Sequence, residues 1–599
     1  MEVTKSEYYK ERISSLSKTL SAHKKRHAIL GWLRLAITII AVIAVFKLWG
    51  ISPLVLIMLL IACIGVFLFL VNKALDTEFE IKNTRSLISI CEKELLVLNG
   101  HYSMLNDGTA MMEKLQLHEN DLDLFGKASL FQYINRGNSF YSQWLLAKSF
   151  IETTTRQQVE LKQEAVKELS GQIEWCQQLQ SFSHEFPLSE AASIAIQDWL
   201  KEEENAFTAK GWQVLRFGIP VISFSILAIY LAGNMSDGMF NTLMLLILAF
   251  VFIFYKKISK AYDHLSKKLP ELNALLPALK WIESKTFNAA YLKEIQQKLE
   301  TPQKASTAIG ELKGILKRLD YRLNPIVYIP LSIFLFWDLQ QVLALQRWKK
   351  KQRAEIEHWF ETTGAFEMIS ALAVLSFNNP SWVFPEICDD WFRFKCEKTG
   401  HPLLLESKAV LNDFNMQGTP SITLITGSNM AGKSTFLRTI GANMVLGMTG
   451  APVHAVSFTM PVVKVISSMR ITDNLDEGTS TFYAELKKMK RIVDAANAGE
   501  KVFILIDEML RGTNTIDRHT GSVALVKQLI RHNAVAMIAS HDLALAALEN
   551  EYPQTITNYH FDSTIIDNEI VFDYKLKQGV CQSTNASLLM QKIGIEMGE

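Results

Sequence analysis

The sequence predicts an α/β nucleotide-binding domain of the P-loop type in its last third, preceded by a mostly helical region that carries two apolar helical hairpins. Three observations predict this. A glycine-rich phosphate-binding motif sits between an apolar strand and a helix near residue 430. Two further apolar strands downstream end in acidic or imidazole side chains. In the first half, two pairs of long apolar runs are each joined by a short turn.

With 599 residues the chain is too long for one core and is expected to form several domains. Lys and Arg total 62 against 61 Asp and Glu, a balance that excludes a general polyanion binder while leaving local patches open. The six cysteines form no CxxC pair, which argues against a zinc site or disulfide framework and fits a reducing compartment. The first 29 residues are polar and charged, so no cleavable signal peptide is expected. No internal repeat stands out apart from the two hairpins, and there is no low-complexity tract.

The first hairpin comprises Leu30 to Leu48 and Pro53 to Val71, linked by Trp49-Gly50-Ile51-Ser52. Each run is close to the ~20 residues that cross ~30 Å of hydrocarbon as a helix. The second comprises Phe217 to Ala232 and Met239 to Tyr255, around the turn Gly233 to Gly238. A buried hairpin of a soluble bundle is the alternative for both, and a stronger one for the shorter second pair. Lys24, Lys25, Arg26 and Lys73 flank the first hairpin, and Lys210, Arg216, Lys256, Lys257 and Lys260 flank the second. Lys47 is the only basic residue near the turns, so the positive-inside rule puts them outside and the rest of the chain in the cytoplasm. The expectation is a multi-pass membrane protein, in a bacterial inner membrane, held by four transmembrane helices in the lipid bilayer, with both termini cytoplasmic. A third apolar stretch, Ile326 to Trp337, is too short to span and reads as a buried core helix. The expected organisation is residues 1–29, a cytoplasmic segment; 30–72, hairpin one; 73–216, helical; 217–256, hairpin two; 257–398, helical; and 399–599, the ATPase.

Ser421 to Ile425 reads as a buried strand and leads into Gly427-Ser428-Asn429-Met430-Ala431-Gly432-Lys433-Ser434-Thr435. This is GxxxxGK[ST] in its strand–loop–helix setting, where backbone N–H groups and a helix N-terminus gather phosphate oxygens. Lys433 is expected on the β- and γ-phosphates and Ser434 on Mg²⁺. Val502 to Ile506 delivers Asp507-Glu508 to a strand end: Asp507 for the Mg²⁺ shell, Glu508 to orient or deprotonate the attacking water. Ala534 to Ala539 delivers His541, expected to hydrogen-bond the γ-phosphate. ATP and Mg²⁺ are the implied ligands, with Glu508, His541 and Lys433 as the catalytic groups.

These motifs resemble the MutS family. Thr426 to Thr435 is similar to the family's TGPNMGGKST, and Asp507 to Asp517 to its DEIGRGTSTYD. Asp473 to Phe482 is similar to DDLASGRSTF, and His401-Pro402 to the dipeptide that opens the domain. The resemblance implies an ABC/MutS-type fold whose domains pair as a homodimer, each signature completing the partner's site. It would bring Ser480 to the other subunit's γ-phosphate, set Tyr574 against adenine and let Asn429 touch the nucleotide. Weaker likenesses to the MutS core lie at Gly126 to Phe131 with Asn135-Arg136, at Arg156 with Gln163 to Leu169, and at Ile369 to Ile387. Against the family pattern, residues 1–118 hold the first hairpin where a mismatch-recognition domain is expected, and the C-terminal helix-turn-helix is expected to be absent or much reduced. Ala431 and Ala586 stand for glycines and Asn514 for a serine. The leading expectation is a membrane-anchored MutS-like ATPase whose hydrolysis drives conformational change. A membrane-tethered DNA-binding repair or recombination ATPase and an ATP-driven transport component are the alternatives. The protein partner is unknown, and DNA is opposed by the neutral charge and the missing clamp.

Overall fold

The computed structural model describes all residues except 1–3, 49–52, 118–119, 185–186, 202–209, 267–268, 301, 429, 471–480, 567–568 and 582–599. The chain divides into two compact units. One comprises Met1–Arg136, Gln143–Cys176 and Met368–Glu599; the other comprises Gly137–Ser142 and Gln177–Glu367.

The first unit opens with two long antiparallel helices, α1 (Lys5–Leu48) and α2 (Pro53–Leu98). At ~1.5 Å per residue each is twice the thickness of a bilayer core, so the helices continue well past their apolar runs as a polar stalk. The charged segment before residue 30 belongs to the same helix as the apolar run. The apolar stretches do not pack inward: Trp32 is 72% exposed, Phe46 83%, and Met58 and Ile61 are likewise open. A buried hairpin would hide these side chains, and so continuous an apolar surface marks an interaction with another phase or partner. The stalk is tied down by a buried polar network. Arg136 pairs with Glu94 of α2, Asn378 donates to the same carboxylate at 2.8 Å, and the Tyr9 hydroxyl of α1 donates to Asn378 at 2.9 Å. Each buried group is satisfied by the next, which is the condition for such a network to hold.

In the second unit the other hairpin is formed by α3 (Lys210–Leu231) and α4 (Asp237–Ser266), with Val221, Phe224, Leu245 and Leu246 exposed along it. Against it lies a broken pair, α5 (Pro325–Leu335) and α6 (Trp337–Gln352), bent by 78° at Phe336. Here the structure corrects the sequence reading. The stretch from Ile326 is not a buried core helix: Ile326 is 85% exposed, and only Tyr328 and Ser332 of α5 are buried. Residue composition is the same for a core helix and an outward-facing one, so the run alone could not decide between them. The break lets Phe336, in the left-handed region at φ 45°, drop into a core of Ile219, Val251, Leu339 and Val342. The carbonyl of Ile333, near the end of α5, accepts a hydrogen bond from Ser223 of α3 at 2.7 Å. A further helix, α7 (Ile356–Asn378), whose residues from Met368 on belong to the first unit, is apolar and long enough to span a membrane but is largely buried, as a core helix is.

From Glu386 onward the first unit is α/β. A four-stranded sheet has the order β1 (Glu386–Cys388), β5 (Ser457–Pro461), β2 (Arg393–Thr399), β3 (Asn412–Gln417). The main six-stranded sheet has the order β10-β9-β4-β8-β7-β6. Its strands are β4 (Ser421–Thr426), β6 (Lys464–Ser468), β7 (Val502–Asp507), β8 (Val535–Ala539), β9 (Ile556–Ile566) and β10 (Glu569–Gln578). All neighbours are parallel except the β9–β10 pair. Strands β4, β7 and β8 are buried nearly throughout, which is why they read as unbroken apolar runs. Helices α8 (Lys433–Met448), α9 (Thr481–Asn497) and α10 (Thr515–Arg531) complete the domain. Because β4, β7 and β8 run side by side in one direction, their C-terminal ends open on the same edge, where ligands of open α/β sheets bind.

Candidate functional site: a phosphate-binding cleft

The glycine-rich loop leaves β4 and enters α8. Gly427 has φ 145°, and a Cβ there would lie 2.6 Å from the carbonyl oxygen of Phe561. Gly432, at φ 111°, packs against the Tyr574 ring in the same way. Both positions therefore need glycine for backbone conformation, and Gly427 for space as well. Ala431 is fully buried without strain, so the alanine that replaces a family glycine is accommodated.

Lys433, the first residue of α8, is buried, and its ammonium folds back on the loop. Its Nζ donates to the carbonyls of Gly427 at 2.9 Å and Ser428 at 3.0 Å and lies 3.3 Å from His541 Nε2. Burial pulls its pKa below the usual lysine value, while Asp507 and Glu508 oppose that shift. Asp507 ends β7 and is buried. Glu508 follows in the left-handed region at φ 58°, a conformation that costs a non-glycine residue roughly 1 kcal/mol. Its backbone N–H is pinned to the Ala539 carbonyl of β8 at 2.9 Å. The carboxylate is held from two sides, by His541 Nε2 at 2.8 Å and Arg511 Nε at 2.9 Å. The His541 hydrogen bond, followed by the Arg511 charge, keeps its pKa below the ordinary glutamate value despite burial. It is thus an ionised acceptor at neutral pH.

Lys433, Glu508 and His541 line a cleft of about 450 Å³ that also takes in Ser434, Met430, Ala431, Gly432, Phe561 and Tyr574. The structure therefore brings Lys433, Ser434, Thr435, Glu508, His541 and Tyr574 together at one opening, with Gly427, Ser428 and Asp507 at the loop and strand ends beside it. Asn429 and Ser480, with most of the signature before Thr481, lie outside the described residues. Tyr574 sits at an irregularity between β9 and β10 and has φ 52°. Asn412 of β3 clamps that irregularity, donating to the Tyr574 carbonyl at 3.0 Å and accepting from the Leu576 N–H at 2.8 Å.

Several contributors carried no role in the sequence reading. Arg511 orders the acid pair, donating also to the Asp507 carbonyl at 2.7 Å. His401, noted only for its dipeptide, is buried beside the cleft, and burial lowers its pKa to about 4. Asp121 accepts from the N–H groups of Met469 and Arg470 at 3.0 and 3.1 Å and from Lys488 at 3.2 Å, fixing the chain on either side of the signature. Gly512 permits the start of α9 to approach the Asp507-Glu508 loop, since a Cβ there would lie 2.7 Å from Phe482. Asn514 caps α10 by accepting from the Asp517 N–H at 2.9 Å, so an asparagine serves where a family serine stands.

A cleft with two left-handed glycines, a lysine at a helix N-terminus and an acid pair ending the second strand over defines the P-loop ATPase-type class. The donor set fits a magnesium nucleotide: the Ser434 hydroxyl and Asp507 carboxylate are hard oxygen donors, and Mg²⁺ commonly takes only one or two protein ligands beside phosphate oxygens. Comparison with known proteins narrows the class. Residues 423–593 match the family model MutS domain V. The DNA mismatch repair protein MutS of Aquifex pyrophilus is 34% identical over 220 residues, 36% of this chain and 25% of its own length. That of Persephonella marina is 31% identical over 240 residues, 39% of this chain and 27% of its own. The MutS protein homolog 4 of Homo sapiens is 30% identical over 217 residues, 35% of this chain and 22% of its own. Through residues 423–593 the chain is similar to MutS domain V, and it spans about a quarter of the length of these relatives.

Proposed function

We propose that the chain is a membrane-anchored, MutS-like ATPase that hydrolyses ATP to ADP and phosphate in a composite homodimeric site and couples this to movement of its helical parts. The observation that carries the reading is the convergence of Lys433, Glu508 and His541 on one cleft, with Glu508 ionised and already oriented. Lys433 would exchange its two loop carbonyls for phosphate oxygens. Glu508 would accept the proton of the attacking water, and His541, bonded to that carboxylate, would hold it in line and face the terminal phosphate. Mg²⁺, when bound at Ser434 and Asp507, would neutralise the charge that develops on the phosphates. The exposed apolar faces of α1 to α4 support the anchor, and the basic residues that flank them support a cytoplasmic ATPase.

The test is the ATPase rate of the detergent-solubilised full chain. Glu508→Gln is expected to lower turnover by roughly 10²- to 10⁴-fold, the usual worth of a general base, while a fluorescent ATP analogue still binds. An unchanged rate would remove Glu508 from the mechanism.

A second reading follows from the relatives, several of which are named DNA mismatch repair proteins. On that reading duplex DNA stimulates the ATPase, and the stimulation fades steeply with salt as phosphate contacts are screened. Indifference to mismatched duplex at low salt would leave the membrane-coupled switch alone.

A further inference from the structure

Between α1 and α2, just beyond their apolar stretch, lies a cleft of about 430 Å³ lined by Lys24, His27, Glu78, Ile81, Lys82 and Arg85. Ile81 is its buried apolar floor. Lys82 lies 3.5 Å from Glu78, which offsets the one acid in the lining. Glu80 nearby lies 3.1 Å from His23 Nδ1 and 4.0 Å from Arg26, and its Oε2 has no hydrogen-bond partner among the described residues. Among the described residues neither Lys24 nor Arg85 has an ion-pair partner, and the Nδ1 of His27 is buried without a hydrogen-bond partner. The cleft is thus a net-positive, partly enclosed space with unspent donors.

Its position decides what such a space is for. Exposed apolar side chains continue down to Ile29 on α1 and to Leu75 and Phe79 on α2. The cleft begins within one or two turns of those residues, at the level where a bilayer's polar headgroups would meet the stalk. We propose that it binds the phosphate of an anionic phospholipid headgroup, with Arg85 offering its planar fork to two phosphate oxygens, Lys24 a point charge, and His27 a further donor. This inference rests on the membrane reading of the hairpin, and its test keeps the two separate.

The full chain, purified and delipidated in a neutral maltoside detergent, is followed by tryptophan fluorescence during thermal unfolding. Phosphatidylglycerol, phosphatidylcholine with the same acyl chains, and inorganic phosphate are titrated in turn. Phosphatidylglycerol is expected to raise the midpoint saturably and phosphatidylcholine to leave it unmoved. Combining Lys24→Gln with Arg85→Gln should weaken the apparent phosphatidylglycerol affinity roughly tenfold or more, from the worth of two cations at a membrane surface. Lys18→Gln, exposed further down the same helix, should not change it. A shift with inorganic phosphate that the double variant also loses would keep the cleft as a phosphate site and assign it to a soluble anion; phosphate held by the P-loop would be insensitive to that variant. No shift with either ligand, or a shift indifferent to the double variant, overturns the site. Alkaline carbonate extraction of membranes, run in parallel, tests the anchor by itself. A chain released by carbonate with its lipid shift intact would sink the anchor and spare the cleft, and a carbonate-resistant chain without a shift would sink the cleft alone.

Discussion

At the scale of single residues, the phosphate site is a set of groups whose charges are balanced before any ligand arrives. Lys433 is bonded to loop carbonyls, and Glu508 is bonded to His541 and Arg511. The histidine at the edge of the cleft has a consequence for stability. His401 is buried, with its pKa lowered from 6.5 to about 4. Between those values the unfolded chain binds a proton that the folded domain refuses, so stability is complete above pH 6.5 and falls as the pH drops towards 4. The loss from this group approaches roughly 3 kcal/mol at its limit. Denaturant unfolding of the full chain at pH 7 and pH 4.5 should show it, and His401→Asn should flatten the dependence; an identical slope in the variant would contradict the assignment. At this scale the sequence was informative where a motif fixes spacing. Lys433, Ser434, Asp507, Glu508 and His541 could be named because each follows a recognisable strand. Arg511 could not, since its role depends on how the loop after β7 turns back, and Asn412 and Phe561 reach the site from strands with no motif of their own.

At the scale of elements, the contacts that matter hold irregular backbone in place. Asn412→Ala would release both hydrogen bonds at the Tyr574 irregularity, leaving a carbonyl and an N–H unpaired at a cost of about 1–3 kcal/mol. The Tyr574 ring then loses its fixed position, and ATP affinity is expected to fall about threefold to tenfold, as read by fluorescent-nucleotide titration. Unchanged affinity would mean that Tyr574 does not meet the base. In the other unit Ser223→Ala should remove the hydrogen bond to the Ile333 carbonyl beside the break between α5 and α6, lowering stability by about 1–3 kcal/mol. Thermal unfolding in detergent would register this as a lower midpoint, and a null result would mean that water or lipid satisfies that carbonyl equally well. Pro325 and Pro330 hint at an irregular helix here, but the 78° bend and the outward turn of Ile326 depend on packing against α3 and α4.

At the scale of the whole molecule, the anchor proposal makes a topological statement. A cysteine introduced by Asn234→Cys, in the turn between α3 and α4, is expected to react with a membrane-impermeant maleimide from the outer face of intact cells, whereas one introduced by Lys18→Cys reacts only after permeabilisation. The same labelling for both positions would sink the four-span arrangement. The motifs alone specify the nucleotide domain and its site residues, because a phosphate loop requires certain residue types at a fixed spacing between a strand and a helix. The sequence by itself also determined where long apolar helices occur, because run length and composition are local properties. Only the tertiary structure decided which of those helices turn their apolar side chains outward, as α1 and α5 do, and which bury them, as α7 does. It alone joined Tyr9, Glu94, Arg136 and Asn378 in one network and set Lys24 beside Arg85 across the stalk. Those pairings link residues far apart in the chain, and no local pattern encodes which distant side chain will supply a buried charge with its partner.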